Sequence, residues 1–231
     1  MSLTKEVCVV LPALNEEGTI GLVIDEVPRE DLERKGYKVS VLVVDNGSTD
    51  RTGEIAREKG AQVIVEAARG KGRAVRAGFR AAKCDFVFML DADYTYPATH
   101  ITEMLEALEN GYDVVMGSRL KGDMGEGAMS TMNLAGNRLL AMLANALYGT
   151  RISDPCTGCW GFRYAVAEGL NLSADGFDIE ANMLTEIARD GHKVTEIPIH
   201  YRRRATPPKL NSLRDGLRIG RMLVATRFRS G

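Results

Sequence analysis

Three apolar runs each end on a polar group and pass into a helical pattern. They are residues 7–11 (VCVVL) ahead of Asn15-Glu16, residues 39–44 (VSVLVV) closed by Asp45, and residues 86–90 (FVFML) closed by Asp91-Ala92-Asp93. Strands without regular polar alternation are buried on both faces, which belongs to a parallel sheet covered by helices on each side. Strand and helix in repetition imply right-handed crossovers, and such sheets bind ligands beyond the carboxyl ends of their strands. Asn15, Glu16, Asp45, Asp91 and Asp93 are therefore expected on one rim. Side chains two apart in extended chain share a side, roughly 6.5–7 Å apart. Asp91 and Asp93 can thus converge on one hard divalent cation, directly or through water. A polar strand end that makes only a turn is the other reading of the same residues.

The helical patterns follow in order. Asn15 is suited to N-cap a helix carrying Ile20, Val23, Ile24 and Val27. Residues 46–50 (NGSTD) form a turn before a helix to about residue 58, and residues 61–65 read as a third strand. Residues 74–82 make a helix behind Gly70-Lys71-Gly72, where glycines beside a lysine at a helix start let backbone N–H groups approach an anion. The Walker A spacing is absent, and a flexible basic loop is the bland alternative. Residues 112–119 and 194–201 read as strands, 121–130 as a mobile Gly-rich loop, 131–148 as an apolar helix packed into the core, and 178–190 as a helix.

At 231 residues, the chain can bury the core of one α/β domain, and 45% hydrophobic with 26% charged residues excludes disorder. The net charge of −1 conceals an asymmetry: residues 200–229 hold nine Lys/Arg against Asp215 alone, leaving −9 on the rest. That points to an anionic partner at the basic end. No aromatic residues alternate with these arginines in a way that suits nucleic acid. No run reaches the ~18 apolar residues of a membrane span and no signal-peptide pattern opens the chain. A cytoplasmic protein, peripheral at the cytoplasmic membrane face if the basic end meets lipid, is expected. Cys156 and Cys159 form a lone C-x-x-C beside Cys8 and Cys84, so reduced structural thiols are expected.

Residues 10–17 (VLPALNEE), residues 43–50 (VVDNGSTD), Gly70-Lys71-Gly72 with Gly78-Phe79, and Asp91-Ala92-Asp93 stand in the order and spacing of the family 2 glycosyltransferases. Within that family the chain most resembles the dolichyl-phosphate (polyprenyl-phosphate) mannose and glucose synthases. Later strings extend the resemblance from about residue 6 to about 212: Asp154-Pro155, Gly161-Phe162-Arg163, and residues 196–199 (EIPI) leading to Arg202 and Lys209-Leu210. The resemblance implies an α/β, GT-A (Rossmann-like) fold with a mixed, mostly parallel sheet flanked by helices. It implies a GDP- or UDP-linked sugar donor, with Pro12 and Glu16 beside the nucleoside, Asp45 accepting from the base and Lys71 near the nucleotide. Asn15, Gly70 and Ala92 complete the donor set, and Asp91 with Asp93 would hold Mg²⁺ or Mn²⁺ on the diphosphate. Inversion by a single in-line displacement is implied as well. Mannose-synthase relatives often read Asp-Ala-Asp-Leu-Gln, whereas Tyr94-Thr95 follows here, so Thr95 or water is expected to complete the metal shell.

The resemblance places Arg119 near the phosphate of a polyprenyl or dolichyl phosphate acceptor, and Arg163, Arg202 and Lys209 are further candidates to hold it. A phosphate monoester has a second pKa near 6, so it is already an anionic nucleophile at neutral pH. A hydroxyl acceptor, soluble or polysaccharide, needs a base instead, and Asp154 is the candidate, with Arg119 and Arg163 as its catalytic companions. Asp154 otherwise reads as a phosphate orienter or as a strand-entry turn before Pro155. A non-catalytic nucleotide-sugar-binding module is the remaining alternative. The expected organisation is a catalytic domain over 1–211, with a donor half at 1–117 and an acceptor half at 118–211, and a basic amphipathic helix at 212–231. That helix suits an anionic membrane surface or a docking site on the protein equally.

Overall fold

The computed structural model describes residues 4–205 and 211–228. Seven strands form one sheet: β1 (Lys5–Ala13), β2 (Tyr37–Asp45), β3 (Gln62–Val65), β4 (Phe86–Leu90), β5 (Val114–Ser118), β6 (Cys159–Arg163) and β7 (Val194–Pro198). Their order is β3-β2-β1-β4-β6-β5-β7. Only β6 is antiparallel to its neighbours, β4 and β5; the other pairs are parallel. The helices are α1 (Ile20–Glu26), α2 (Arg29–Arg34), α3 (Thr52–Glu58), α4 (Lys71–Ala81), α5 (Ile101–Glu109), α6 (Thr131–Tyr148), α7 (Tyr164–Gly169), α8 (Ile179–Arg189) and α9 (Ser212–Arg227).

The apolar runs are buried on both sides because alternate residues enter two separate cores. Val7, Val9 and Leu11 of β1 and Phe86, Phe88 and Leu90 of β4 meet α1, α2, α3 and α5. Cys8 and Val10 of β1 with Val87 and Met89 of β4 meet α4, α7, α8 and α9. This is the three-layer arrangement expected from uninterrupted strands.

Two helical expectations change. Asn15 does not cap α1, which begins five residues later behind Thr19. Asn15 instead takes a left-handed backbone (φ 50°), and its side-chain oxygen accepts from the Thr49 N–H at 2.8 Å. The tertiary demand for a link between two rim loops overrides local capping. α6 packs into the core on one side only: Asn137, Ala141 and Ala144 face inward with Leu140, Leu143 and Leu147 partly buried against the core, while Met132, Leu139 and Met142 are exposed. α9 leans on α6 and α8 through Ile219 and Leu223. Cys156 and Cys159 enter opposite cores and remain free thiols, each pushed up to about 12 by burial.

Candidate active site

β1, β2 and β4 end level with one another, Ala13 standing opposite Asp45 and Val10 opposite Met89. Beyond their ends lies a pocket of about 300 Å³ lined by residues that include Pro12, Glu16, Gly70, Lys71, Asp91, Ala92, Asp93, Phe177 and Arg204. Seven of the residues expected to bind a donor thus share one wall. A larger hollow, about 520 Å³, lies at the α1–α2 corner around Asp25 and Glu30, away from this rim; its side chains do not converge on the acidic cluster.

Two cations organise the pocket. Lys71 Nζ lies 2.5 Å from Asp91 Oδ1 and 2.6 Å from Glu180 Oε1. Burial alone would favour neutral lysine, but Asp91 and Glu180 outweigh it and raise the ammonium's pKa above its ordinary value. Arg204 reaches Asp93 Oδ2 at 3.0 Å and Glu16 Oε1 at 2.8 Å. Burial, then the neighbouring Asp91 charge, raise the pKa of Asp93 despite Arg204. The Asp91-Ala92-Asp93 turn is pinned from both sides. Thr19 Oγ1 donates to the Ala92 carbonyl at 2.8 Å, and Thr95 donates to Asp93 Oδ1 from Oγ1 (2.6 Å) and from its N–H (3.1 Å).

Thr95 is therefore wholly buried and serves as a donor to Asp93, which removes it as the expected third metal ligand. Among the described residues, no third His, Cys, Asp or Glu joins the pair in a metal-holding group. Two adjacent carboxylates of hard oxygen, one buried and held in place, fit a divalent cation that shares its shell with donor phosphates. They do not make an all-protein cage.

The Gly-Lys-Gly loop works differently from the anion cradle expected. The Gly70 N–H donates to Asn46 Oδ1 at 2.7 Å and the Gly72 N–H to the Asp175 carbonyl at 3.0 Å. A Cβ on Gly72 would stand 2.1 Å from the Ala174 carbonyl oxygen. The glycines admit the chain ahead of α8 to close approach, which brings Phe177 to the pocket and Glu180 to Lys71. Gly158 plays a similar part on the other side, since a Cβ there would meet the Asp91 carboxylate at 2.3 Å.

The remaining expected residues divide. Asp45 stays at the strand end, its Oδ1 accepting from the Ser48 N–H at 2.8 Å, and it holds the turn without lining the pocket. Asp154 is completely buried, and both its oxygens are engaged. Oδ2 accepts from Arg119 N (3.0 Å) and Nε (2.7 Å), while Oδ1 accepts from Arg119 Nη2 (2.7 Å) and Asn137 Nδ2 (2.5 Å). Arg119 is spent on this pair and on packing over the Tyr201 ring. Neither residue opens to the pocket. Arg202 grips the Glu26 carboxylate and lies 4.2 Å from the Tyr94 ring centroid, supporting the left-handed backbone of Tyr94 (φ 64°). Arg163 pairs in register with Phe86, at the start of β4, and donates to the Leu108 and Tyr112 carbonyls. It sits at the opposite edge of the sheet because β6 runs antiparallel, so it is removed from the acceptor set. Lys209 lies outside the described residues.

Arg204, Phe177 and Asn46 line the pocket and Glu180 holds Lys71 from behind it, and sequence reasoning assigned none of the four to the site. A period-2 signal was available for Arg204: Arg202 and Arg204 turn toward the rim loops while Arg203 between them is exposed.

An acidic rim past a mostly parallel sheet, ending in a pinned D-x-D turn, defines a glycosyltransferase of the GT-A fold. Residues 8–170 match the family model described as Glycosyl transferase family 2, and the chain belongs to that family. It is 39% identical over 219 residues to Glycosyltransferase AglJ of Haloferax volcanii, covering 94% of this chain and 70% of that one. It is 36% identical to the Dolichyl-phosphate hexose transferase of the same organism, covering 95% and 92%. Among solved structures, glucosyl-3-phosphoglycerate synthase from Mycobacterium tuberculosis in complex with Mn²⁺ and UDP-glucose superposes with a TM-score of 0.72 at 24% identity, covering 96% of this chain and 77% of that one.

Proposed function

We propose that the enzyme transfers a hexose from a GDP- or UDP-linked donor to a polyprenyl or dolichyl phosphate, with inversion, and that the reaction requires Mg²⁺ or Mn²⁺. The observation that carries the acceptor class is the state of Asp154. A hydroxyl nucleophile needs a base within hydrogen-bond reach, and the only acid proposed for that role is sealed against Arg119 and Asn137. A phosphate oxygen needs none, being ionised already. The name of the relative that spans 95% of the chain supports the same class.

Pro12, Glu16 and Phe177 would flank the nucleoside, and Asp91 with Asp93 would hold the divalent cation. That cation, when bound with the donor, neutralises charge on the departing diphosphate. Lys71 stands beside Asp91 on a rigid helix start and is positioned to follow the same charge. Arg204, between Glu16 and Asp93, is placed to steer the acceptor phosphate once the donor's charge competes for it. The Asp154–Arg119 pair keeps the acceptor-side wall fixed. Among the described residues, the carboxylates lining the pocket are each engaged by Lys71, Arg204 or Thr95, in keeping with direct inversion.

The test is transfer of labelled hexose from GDP- and UDP-sugars to a short-chain polyprenyl phosphate in detergent. Transfer that is abolished by chelator and reduced roughly 10²–10³-fold by Asp91→Ala supports the reading. Transfer to a dephosphorylated polyprenol or a free sugar at equal rate overturns the acceptor class.

A further inference from the structure

Six of the ten exposed large hydrophobic residues among those described lie on α6 and α9, and a seventh, Phe228, caps the end of α9. α6 carries a single charge, Arg138, and turns Met132, Leu139 and Met142 outward. At about 100° per residue these three fall within one third of the helix circumference, the inverse of a surface helix that hides its apolar stripe. α9 does the same. Leu213, Leu217, Val224 and Phe228 share an outward stripe, with Leu217 78% and Phe228 75% exposed.

The two stripes form one surface. Gly220 faces Leu140, the Tyr148 hydroxyl donates to the Leu223 carbonyl at 2.7 Å, and Arg227 Nε donates to the Leu147 carbonyl at 2.9 Å. The helices therefore run side by side in the same direction. On α6 the line of Leu140 and Leu147 lies about a quarter turn clockwise of Leu139; on α9 the line of Gly220, Leu223 and Arg227 lies about a quarter turn the other way from Leu217. Both stripes thus point to the same side. Arg214 and Arg221 flank the α9 stripe and are exposed, and Asp215, the only acid on either helix, turns back to accept from the Asn211 N–H.

We propose that the α6–α9 face docks on an anionic lipid bilayer, seating the apolar stripes among the acyl chains and the arginines among the head groups. Neither α6 nor α9 offers an outward acid with which a second copy's arginines could pair, so charge complementarity selects the lipid surface. The inference deepens the lipid-phosphate reading and takes its purpose from it. The face also connects to the pocket: Arg218, one residue after Leu217, binds Asp178 at 3.0 Å, next to the pocket residue Phe177. Inside α6, Asn137 binds Asp154. A membrane-borne phosphate would arrive at the end of the surface nearest the pocket.

The test is co-sedimentation of the full chain with vesicles of phosphatidylcholine alone or with 30% phosphatidylglycerol, paired with light scattering for oligomeric state. The expected result is at least tenfold tighter partition onto anionic vesicles. Leu139→Ser with Leu217→Ser should cost at least tenfold, and Arg214→Gln with Arg221→Gln roughly fivefold per arginine. Melting temperature and transfer to a detergent-dispersed acceptor should stay at wild-type level in the serine variant. Vesicle binding indifferent to both pairs, or a dimer dissociated by the serine pair without vesicle binding, overturns the proposal. Normal vesicle binding by a wild type that transfers to no lipid phosphate would instead overturn the acceptor reading and leave this surface standing.

Discussion

Around the pocket, Lys71 and Arg204 each serve two carboxylates beside an open volume of about 300 Å³, whereas Arg119 and Asp154 close on each other with no solvent between them. Both arrangements pair opposite charges, yet they differ in what a ligand can do to them. A pocket cation shared between two acids can exchange partners when a diphosphate or metal ion enters. A buried bidentate pair whose hydrogen bonds are all made cannot, since removing one partner leaves the other charge stranded. The pocket is thus built from exchangeable contacts and the Arg119–Asp154 pair is a fixed one.

The contrast can be broken by substitution. Asp154→Asn leaves the Arg119 guanidinium uncompensated and should cost about 3–5 kcal/mol of stability, read from denaturant unfolding. A loss under about 1 kcal/mol would mean that the pair is solvated and exchangeable after all. Arg202→Ala removes the support of Tyr94 next to the D-x-D turn. It should destabilise by about 1–2 kcal/mol and raise the KM for donor while transfer at saturation changes less. An unchanged donor KM would detach Tyr94 from the site. Arg163→Lys, at the far edge of the sheet, should leave kcat/KM within about twofold while lowering stability by about 1 kcal/mol through its lost carbonyl contact. A large fall in activity alone would return Arg163 to the site.

The donor rim was legible because one rule, strand ends sharing an edge, converts positions in sequence into positions in space. Glu16, Asp91 and Asp93 follow from it directly, while Pro12 comes from the family resemblance and Lys71 from its glycine-flanked helix start. Residues 118–211 defeated the same reasoning for three reasons. β6 runs against its neighbours, which carried Arg163 to the wrong edge. Asp154 and Arg119 satisfy each other, a pairing across 35 residues that no local pattern announces. α6 has apolar residues on most of its circumference, and periodicity cannot say which side faces the core when small residues such as Ala141 and Ala144 are the ones buried. The same ambiguity hid the inward job of the glycines at 70 and 72, whose N–H groups are taken by Asn46 and Asp175.

The central claim is that Asp91 and Asp93 hold a divalent cation jointly with the donor diphosphate. Calorimetric titration of Mn²⁺ into the enzyme, with and without saturating GDP or UDP, tests it most directly. Mn²⁺ should bind weakly alone and at least tenfold more tightly with the nucleotide, and Asp93→Asn should abolish that gain. Tight nucleotide binding that is the same with Mn²⁺ as with chelator, or unaltered in Asp93→Asn, would contradict the account.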